Sequence, residues 1–120
     1  MNENKSILFV EDEPKIAKIY ALKLKLAGLD VHIVNSGVEA MDILRLKKFD
    51  AMLLDIVMPE VDGLEVTETV RTFSRIPIIA FTAKSGVSDE LIAAGANQVI
   101  MKPCAPEYLV NAVKSVISKT

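Results

Sequence analysis

Five short apolar runs alternate with five helix-type patterns along the whole chain, and this alternation constrains the fold more than any other feature. In each segment that follows a run, apolar residues recur every three or four positions, the spacing of a helix buried on one side. Strict alternation of this kind predicts a parallel sheet with helices on both faces. The predicted strands span residues 6–10, 31–34, 51–55, 76–81 and 99–101.

Proline, glycine and capping residues indicate where the helices begin and end. Pro14 suits the first position of a helix, because its missing N–H costs nothing there, and Gly28 is typical of a helix end. Ser36 is predicted to cap the second helix, and Asp62-Gly63 is typical of a turn before the third. The five predicted helices span about 14–27, 36–47, 64–70, 88–94 and 106–118. The predicted core face of the first helix is Ile16, Ile19, Tyr20, Leu24 and Ala27.

The connections predict one topology. Right-handed crossovers and a chain reversal after the first strand give the strand order 2-1-3-4-5, a doubly wound, flavodoxin-like α/β fold. With 120 residues the chain has the length of one such domain, residues 1–120. Ligands of open parallel sheets bind at the carboxyl ends of the strands, where the strand order reverses. Here that point lies between strands one and three.

Composition narrows the functional classes. The chain is 51% apolar and 25% charged with a net charge of −2, which is globular composition and gives no reason to expect direct nucleic-acid binding. The single cysteine, Cys104, excludes an intrachain disulfide. Neither the polar N-terminus nor any apolar run has the character of a signal peptide or a membrane span. We therefore expect a cytoplasmic domain without membrane contact.

Polar side chains end four of the five predicted strands. Strand one is followed by Glu11 and Asp12, strand three ends in Asp55, strand four is followed by Thr82, and strand five by Lys102. Clustered carboxylates repel one another unless a cation neutralises them, and oxygen ligands without His or Cys favour Mg²⁺. Together these residues indicate phosphoryl transfer onto a carboxylate, with Asp55 as the nucleophile.

Simpler interpretations exist for each of these residues alone. An aspartate at a strand end is commonly a cap or turn residue, and an acidic triplet before a helix favours the helix dipole. Lys102-Pro103 is by itself an ordinary turn. All of these residues, however, fall at the same end of successive strands, and this favours a common site.

The motifs resemble one known family, the receiver domain of two-component response regulators. The resemblance covers essentially the whole chain, and the full set of motifs is far more specific than any one of them. It implies that Asp55 accepts a phosphoryl group from a phosphohistidine of a sensor kinase or a histidine phosphotransfer protein. The segments that carry it are Val10–Pro14, Leu54–Pro59, Asp62–Gly63, Phe81–Ala83, Ala94–Ala96 and Lys102–Pro103.

The resemblance also implies a role for each site residue. Thr82 would donate a hydrogen bond to a phosphoryl oxygen, Lys102 would pair with it, and Glu13 would serve as a charge at the helix start. Receivers slowly remove their own phosphoryl group with an in-line water, so weak self-catalysis is implied rather than a conventional enzyme. The implied Mg²⁺ ligands are Asp12, Asp55, Glu11 through water, and the backbone carbonyl of Val57.

Three departures from the family pattern affect how a signal would leave the domain. Val99 occupies a position where the family usually has an aromatic switch residue. Cys104, after Lys102-Pro103, is expected to pack as a small apolar residue. The segment 84–94 is shorter than usual, so we expect a short fourth helix, no dimerisation through it, and a monomer.

The first helix carries one candidate surface for a partner protein. Leu22 and Leu26 lie four apart beside Lys18 and Lys25 and suggest either incidental exposure or a docking patch for a phosphotransfer bundle near the site. The output would be binding to a downstream protein. His32, the only histidine, is expected to be an exposed strand residue.

The alternative function is a pseudo-receiver that binds partners without phosphoryl chemistry. An aspartyl phosphatase is disfavoured, because no second acid stands two residues after Asp55.

Overall fold

The protein is a five-stranded parallel sheet covered by helices on both faces. The computed structural model describes residues 4–58 and 61–118. The strand order is β2-β1-β3-β4-β5, and every neighbouring pair is parallel, which confirms the predicted topology. The strands are β1 (Ser6–Val10), β2 (Asp30–Val34), β3 (Ala51–Asp55), β4 (Ile78–Thr82) and β5 (Gln98–Met101).

The helices begin at the residues that the capping rules favour. The Glu13 side chain accepts a hydrogen bond from the Lys15 N–H at the start of the first helix, which confirms its expected role. Ser36 caps the second helix as predicted. Asp62, predicted as a turn residue, caps the third. The predicted turn at Pro59 lies outside the described residues. The helices are α1 (Pro14–Leu26), α2 (Gly37–Leu46), α3 (Gly63–Arg71), α4 (Ser88–Ala94) and α5 (Pro106–Ser118).

Two apolar layers enclose the sheet. Alternate residues of β1 face opposite sides: Ile7 and Phe9 pack towards α1 and α5, whereas Leu8 and Val10 pack towards α2, α3 and α4. All five residues of β3 are buried, including Asp55. The central strands are therefore rigidly held, and they fix the position of whatever follows their carboxyl ends.

The predicted core face of α1 was wrong in one respect. Ile19 is 54% exposed, whereas Ala17, Ala21 and Leu24 are buried against the sheet. At 100° per residue Ile19 lies about 140° around the helix from Leu24, on the solvent side. The small alanines allow α1 to pack close to the sheet. With this face of the helix turned towards the sheet, Ile19 faces the solvent.

The start of β4, the length of α4 and the exposure of His32 can be compared with the predictions. Strand β4 starts at Ile78 rather than Ile76, because the Ile76 N–H bonds the Ser74 hydroxyl instead of a neighbouring strand. Helix α4 has seven residues, as short as expected. His32 is exposed on β2, as predicted, with its ring edge-on to Phe49. Among the described residues, no helix has the length and apolar character needed to cross a membrane.

Candidate functional site

Three carboxylates meet where β1 and β3 end. Val10 and Leu54 are register partners in these adjacent strands, so Glu11 and Asp55 follow them side by side. One oxygen of each of Glu11, Asp12 and Asp55 lies within 4.8 Å of the others. Glu11 is 2% exposed and Asp55 3%. The carboxylates predicted to share a site are therefore together, and two of them are almost without solvent.

Lys102 reaches this acidic pocket from β5 across the end of β4. Its ammonium lies 4.9 Å from the centre of the Phe81 ring, 2.9 Å from Glu11 Oε1 and 3.3 Å from Asp55 Oδ1. The family resemblance implies that Lys102 pairs with a phosphoryl oxygen. Without a phosphoryl group it pairs with the carboxylates, and it neutralises one of their charges.

Burial and the neighbouring charges shift the pKa values of Glu11 and Lys102. Burial raises the pKa of Glu11, and the nearby Asp55 raises it further, although the hydrogen bond from Lys102 acts in the opposite direction. Burial alone would lower the pKa of Lys102, but the bond to Glu11 and the charge of Asp55 raise it above its ordinary value. Lys102 therefore stays cationic, and the pocket retains an excess of negative charge.

The backbone after Asp55 holds that carboxylate in place. The Val57 N–H donates to Asp55 Oδ1 over 3.2 Å, while the Val57 side chain is 59% exposed and takes no part in the pocket. The Gly63 N–H donates to the Ile56 carbonyl over 2.8 Å. A Cβ atom on Gly63 would lie 2.6 Å from Ile56 Cα and 3.1 Å from the Asp55 carbonyl oxygen. Only glycine permits α3 to begin so close to the backbone of Asp55 and Ile56.

Sequence reasoning missed this contact, because Asp62-Gly63 is also a common turn dipeptide. Glu65, three residues after Asp62, is the signal that distinguishes a helix start from an isolated turn. Aspartate followed by glutamate at this spacing is a helix-start pattern related to the capping box.

Thr82 lies beside the pocket without contacting its carboxylates. It directly follows Phe81, the register partner of Asp55, and is fully buried. Its hydroxyl oxygen accepts a hydrogen bond from the Lys84 N–H, and its carbonyl accepts one from the Lys102 N–H. Among the described residues its hydroxyl has no bond to Glu11, Asp12 or Asp55. The structure therefore places Thr82 at the pocket's edge and joins its backbone to that of Lys102.

The donor set fits a hard divalent cation. Every candidate ligand is an oxygen, the carboxylates are too close for their charge, and one lysine does not balance them. No donor among the described residues occupies the Val57 carbonyl. Soft donors are absent from this cluster: Cys104 packs half-buried against the layer formed by α1 and α5, and burial raises its pKa. These properties favour Mg²⁺ over Zn²⁺.

Arg71 fixes the end of α4 that lies away from the pocket. Its guanidinium donates to the Gly95 carbonyl at 2.8 and 3.0 Å, to the Ser74 carbonyl at 3.1 Å and to Asn97 Oδ1 at 3.1 Å. At the other end, Val87 precedes α4 without a side-chain cap. Nothing in the sequence indicates this link, because an arginine near a helix end is usually solvated.

A doubly wound sheet with a carboxylate cluster and a lysine where the strand order reverses is the arrangement that the sequence motifs predicted for a receiver domain. The model of the response regulator receiver domain matches residues 7–114, and the chain belongs to that family.

Known proteins of similar sequence and structure agree with this assignment. The chain is 34% identical over 119 residues to a probable transcriptional regulator, ycf27, of Porphyridium aerugineum, matching 98% of this chain and 50% of that protein. It thus spans about half the length of the curated relatives it matches. The relative's role in transcription is its own, and the expectation that the present domain does not bind nucleic acid stays a prediction.

Two solved structures are similar over nearly their whole length. The receiver domain of a sensor histidine kinase from Pseudomonas aeruginosa PAO1, described with magnesium coordinated in its active-site cleft, is 30% identical, with a TM-score of 0.89 over 97% of this chain and 99% of that one. A CheY-like receiver protein from Methanospirillum hungatei JF-1 is 27% identical, with a TM-score of 0.92 over 98% and 96% of the two chains. Receiver-domain membership thus rests on sequence and fold together.

Proposed function

We propose that the domain is a phosphoryl-accepting switch in which Asp55 takes a phosphoryl group from a phosphohistidine of a sensor kinase or phosphotransfer protein. The observation that carries the proposal is the Asp55 carboxylate itself. It is 3% exposed, fixed by the Val57 N–H and paired with Lys102. A carboxylate so oriented and desolvated is suited to nucleophilic attack.

Each residue of the pocket has a separate role in the proposed phosphoryl transfer. An oxygen of Asp55 forms a bond to phosphorus as the bond from phosphorus to the imidazole nitrogen breaks, and the electron pair leaves with the imidazole. Lys102 neutralises negative charge on the transferred group, and the Thr82 hydroxyl donates to one of its oxygens after rotating from its present role. Bound Mg²⁺, held by Asp12, Asp55, the Val57 carbonyl and Glu11 through water, would supply further charge neutralisation.

Phosphorylation by a small donor tests this proposal directly. The wild-type protein is incubated with acetyl phosphate and Mg²⁺, and its intact mass is measured. We expect the addition of one phosphoryl group, its absence in Asp55→Asn, and its retention in the matched control Asp42→Asn, an exposed aspartate of α2. An adduct of equal amount in Asp55→Asn would contradict the assignment. No adduct in the wild type would favour the pseudo-receiver that only binds partners.

The phosphoryl donor is proposed to dock on α1. Ile19, Leu22 and Leu26 form a solvent-facing row on this helix, here called the α1 stripe, with exposures of 54, 56 and 73%. A rise of 1.5 Å per residue puts Ile19 about 8 Å and Leu26 about 18 Å from Pro14, which adjoins the pocket. Ile19 therefore extends the predicted Leu22–Leu26 patch towards the pocket.

One experiment distinguishes docking of the phosphoryl donor on α1 from the phosphoryl chemistry at Asp55. Leu22→Glu combined with Leu26→Glu should slow transfer from a phosphohistidine protein by about tenfold or more, because it places charge in an apolar contact. Acetyl phosphate should phosphorylate the same variant at the wild-type rate. Leu46→Glu, at an 88% exposed leucine of α2, is the matched control. If both donors slow equally, the stripe has no docking role.

The output is proposed to be phosphorylation-dependent binding of a downstream protein by a monomer. Val99 is half-buried and packs with the layer of α2, α3 and α4. An aliphatic side chain cannot reproduce the swing of an aromatic ring, so the change in affinity must come through another element.

A further inference from the structure

Two of the five residues of strand β2 direct their backbone hydrogen-bonding groups away from the sheet. The Asp30 N–H donates to the Lys5 carbonyl over 2.9 Å, and the Val34 carbonyl accepts from Glu11 over 3.0 Å, so Asp30, His32 and Val34 face β1. In a parallel strand the alternate residues, Val31 and Ile33, direct their N–H and C=O groups outward. In the part of the chain that the structure describes, no strand lies on that side.

An apolar groove of about 450 Å³ runs beside this edge, between β2 and α1. The buried Ala17 and Ala21 form its floor, and Leu22 and Ile33, 56 and 40% exposed, form its walls. We call it the edge groove. Sheet edges are usually protected by lysine or proline within the strand, and β2 has neither. An unpaired strand beside an apolar groove is the arrangement that accepts an extended peptide segment.

The charges around the edge groove indicate which kind of segment fits. Lys18 and Lys25 line it on the α1 side. On the other face of β2, His32 contacts the Phe49 ring, and the Lys47 ammonium lies 5.4 Å from the centre of the same ring. The acid of this strand, Asp30, lies at its start and accepts a hydrogen bond from Asn4. Both charged residues that line the edge groove are lysines, although the whole chain has a net charge of −2.

We propose that β2 accepts an extended, acidic segment of a partner protein as a sixth strand. The partner's backbone would pair with Val31 and Ile33, its apolar side chains would enter the edge groove, and its carboxylates would lie near Lys18 and Lys25. A second copy of this chain is the poorer occupant, because pairing two β2 strands would bring Lys18 and Lys25 of one α1 towards those of the other. This inference is independent of phosphorylation at Asp55.

A designed peptide tests the surface with the unphosphorylated protein. The probe is a fluorescein-labelled peptide with three central valines between two glutamates on each side, a length that covers the five residues of β2. We expect saturable binding by fluorescence anisotropy that weakens with salt. The same peptide with lysine in place of glutamate should bind at least about tenfold more weakly, because it meets like charge.

Variants at the edge separate strand addition from mere electrostatic attraction. Ile33→Pro removes an outward N–H without touching the β1 ladder, and it should weaken binding of the acidic peptide at least about tenfold. Ile33→Thr keeps the N–H and should retain most of the affinity. Lys18→Glu combined with Lys25→Glu should reverse the preference between the two peptides, and this arm remains decisive should the proline variant fail to fold.

Three results would overturn the proposal: no saturation by the acidic peptide, equal binding by Ile33→Pro and Ile33→Thr, or self-association of the wild-type protein through β2 in sedimentation. Acetyl phosphate should still phosphorylate each folded variant. Failure of peptide binding is thereby distinguishable from failure of the proposed phosphoryl chemistry.

Discussion

Replacing Glu11 by glutamine should stabilise the metal-free protein, although it removes a hydrogen-bonded ion pair. An oxygen of Glu11 lies within 4.8 Å of those of Asp12 and Asp55. At an effective dielectric constant of about 20, the two repulsions sum to about 7 kcal/mol at that distance. The attraction to Lys102, at 2.9 Å, is about 6 kcal/mol on the same scale. Burial adds a further cost to the charged carboxylate, so the balance favours the neutral side chain by about 1 kcal/mol or more.

Urea unfolding followed by far-UV circular dichroism measures this difference, since the chain has no tryptophan to report by fluorescence. In EDTA near neutral pH we expect the midpoint of Glu11→Gln to rise by about 0.5 M at an unchanged slope. Glu68→Gln, at an exposed glutamate of α3, is the control and should leave the midpoint unchanged. Destabilisation of Glu11→Gln by 1 kcal/mol or more would refute the reasoning, because the pair with Lys102 would then outweigh repulsion and burial.

The pH dependence of the same pair of proteins has a definite sign. The pKa of Glu11 is raised in the folded state, first by burial and then by Asp55. Its stabilising contribution is therefore present below the ordinary glutamate pKa and is lost as pH rises through the raised value. The advantage of Glu11→Gln should grow over that interval as pH rises. Saturating Mg²⁺ should reduce or reverse it, because the wild type would gain more binding free energy than a variant lacking one ligand.

Three further outcomes follow from contacts elsewhere. Arg71→Lys cannot keep the planar fork of hydrogen bonds and should lower the free energy of unfolding by about 1–3 kcal/mol; a loss no larger than at a surface arginine would contradict the contact. Leu109→Ala, in the core, should cost about 2–5 kcal/mol in the same urea assay, whereas the exposed Leu46→Ala stays within about 0.5 kcal/mol. Because burial raises its pKa, Cys104 should react with iodoacetamide more slowly than free cysteine near neutral pH; equal rates would refute this.

The sequence was sufficient to predict the acidic cluster, because the carboxyl ends of parallel strands lie along the same edge of the sheet. Once Glu11 and Asp55 follow adjacent strands, no side-chain detail is needed to predict that they meet. The parallel sheet and its two apolar layers follow from the same alternation of patterns, whereas the short α4 was predicted from the length of the segment 84–94. These are properties of backbone topology, which periodicity reports well.

Properties that depend on rotation or reach could not be predicted in this way. Helical spacing allows either Ile19 or the pair Ala17 and Ala21 to be buried beside Leu24, and only packing against the sheet decides between them. The Lys102 ammonium is five bonds from its own Cα and crosses the end of β4 to reach Glu11, a contact that the sequence does not encode. The hydrogen bonds from Arg71 to Gly95 likewise join residues that are 24 positions apart.

The close approach of Gly63 to the backbone of Ile56 has a consequence for how this region can vary in length. The chain leaves the sheet at Asp55, and the hydrogen bond from the Gly63 N–H to the Ile56 carbonyl closes the loop that follows. Loop-closure entropy changes slowly with length, so inserting residues between 57 and 62 should cost little by itself. Replacing Gly63 leaves the length intact yet pushes a side chain into the backbone that positions Asp55. The loop can therefore lengthen, but the point at which it closes must remain a glycine.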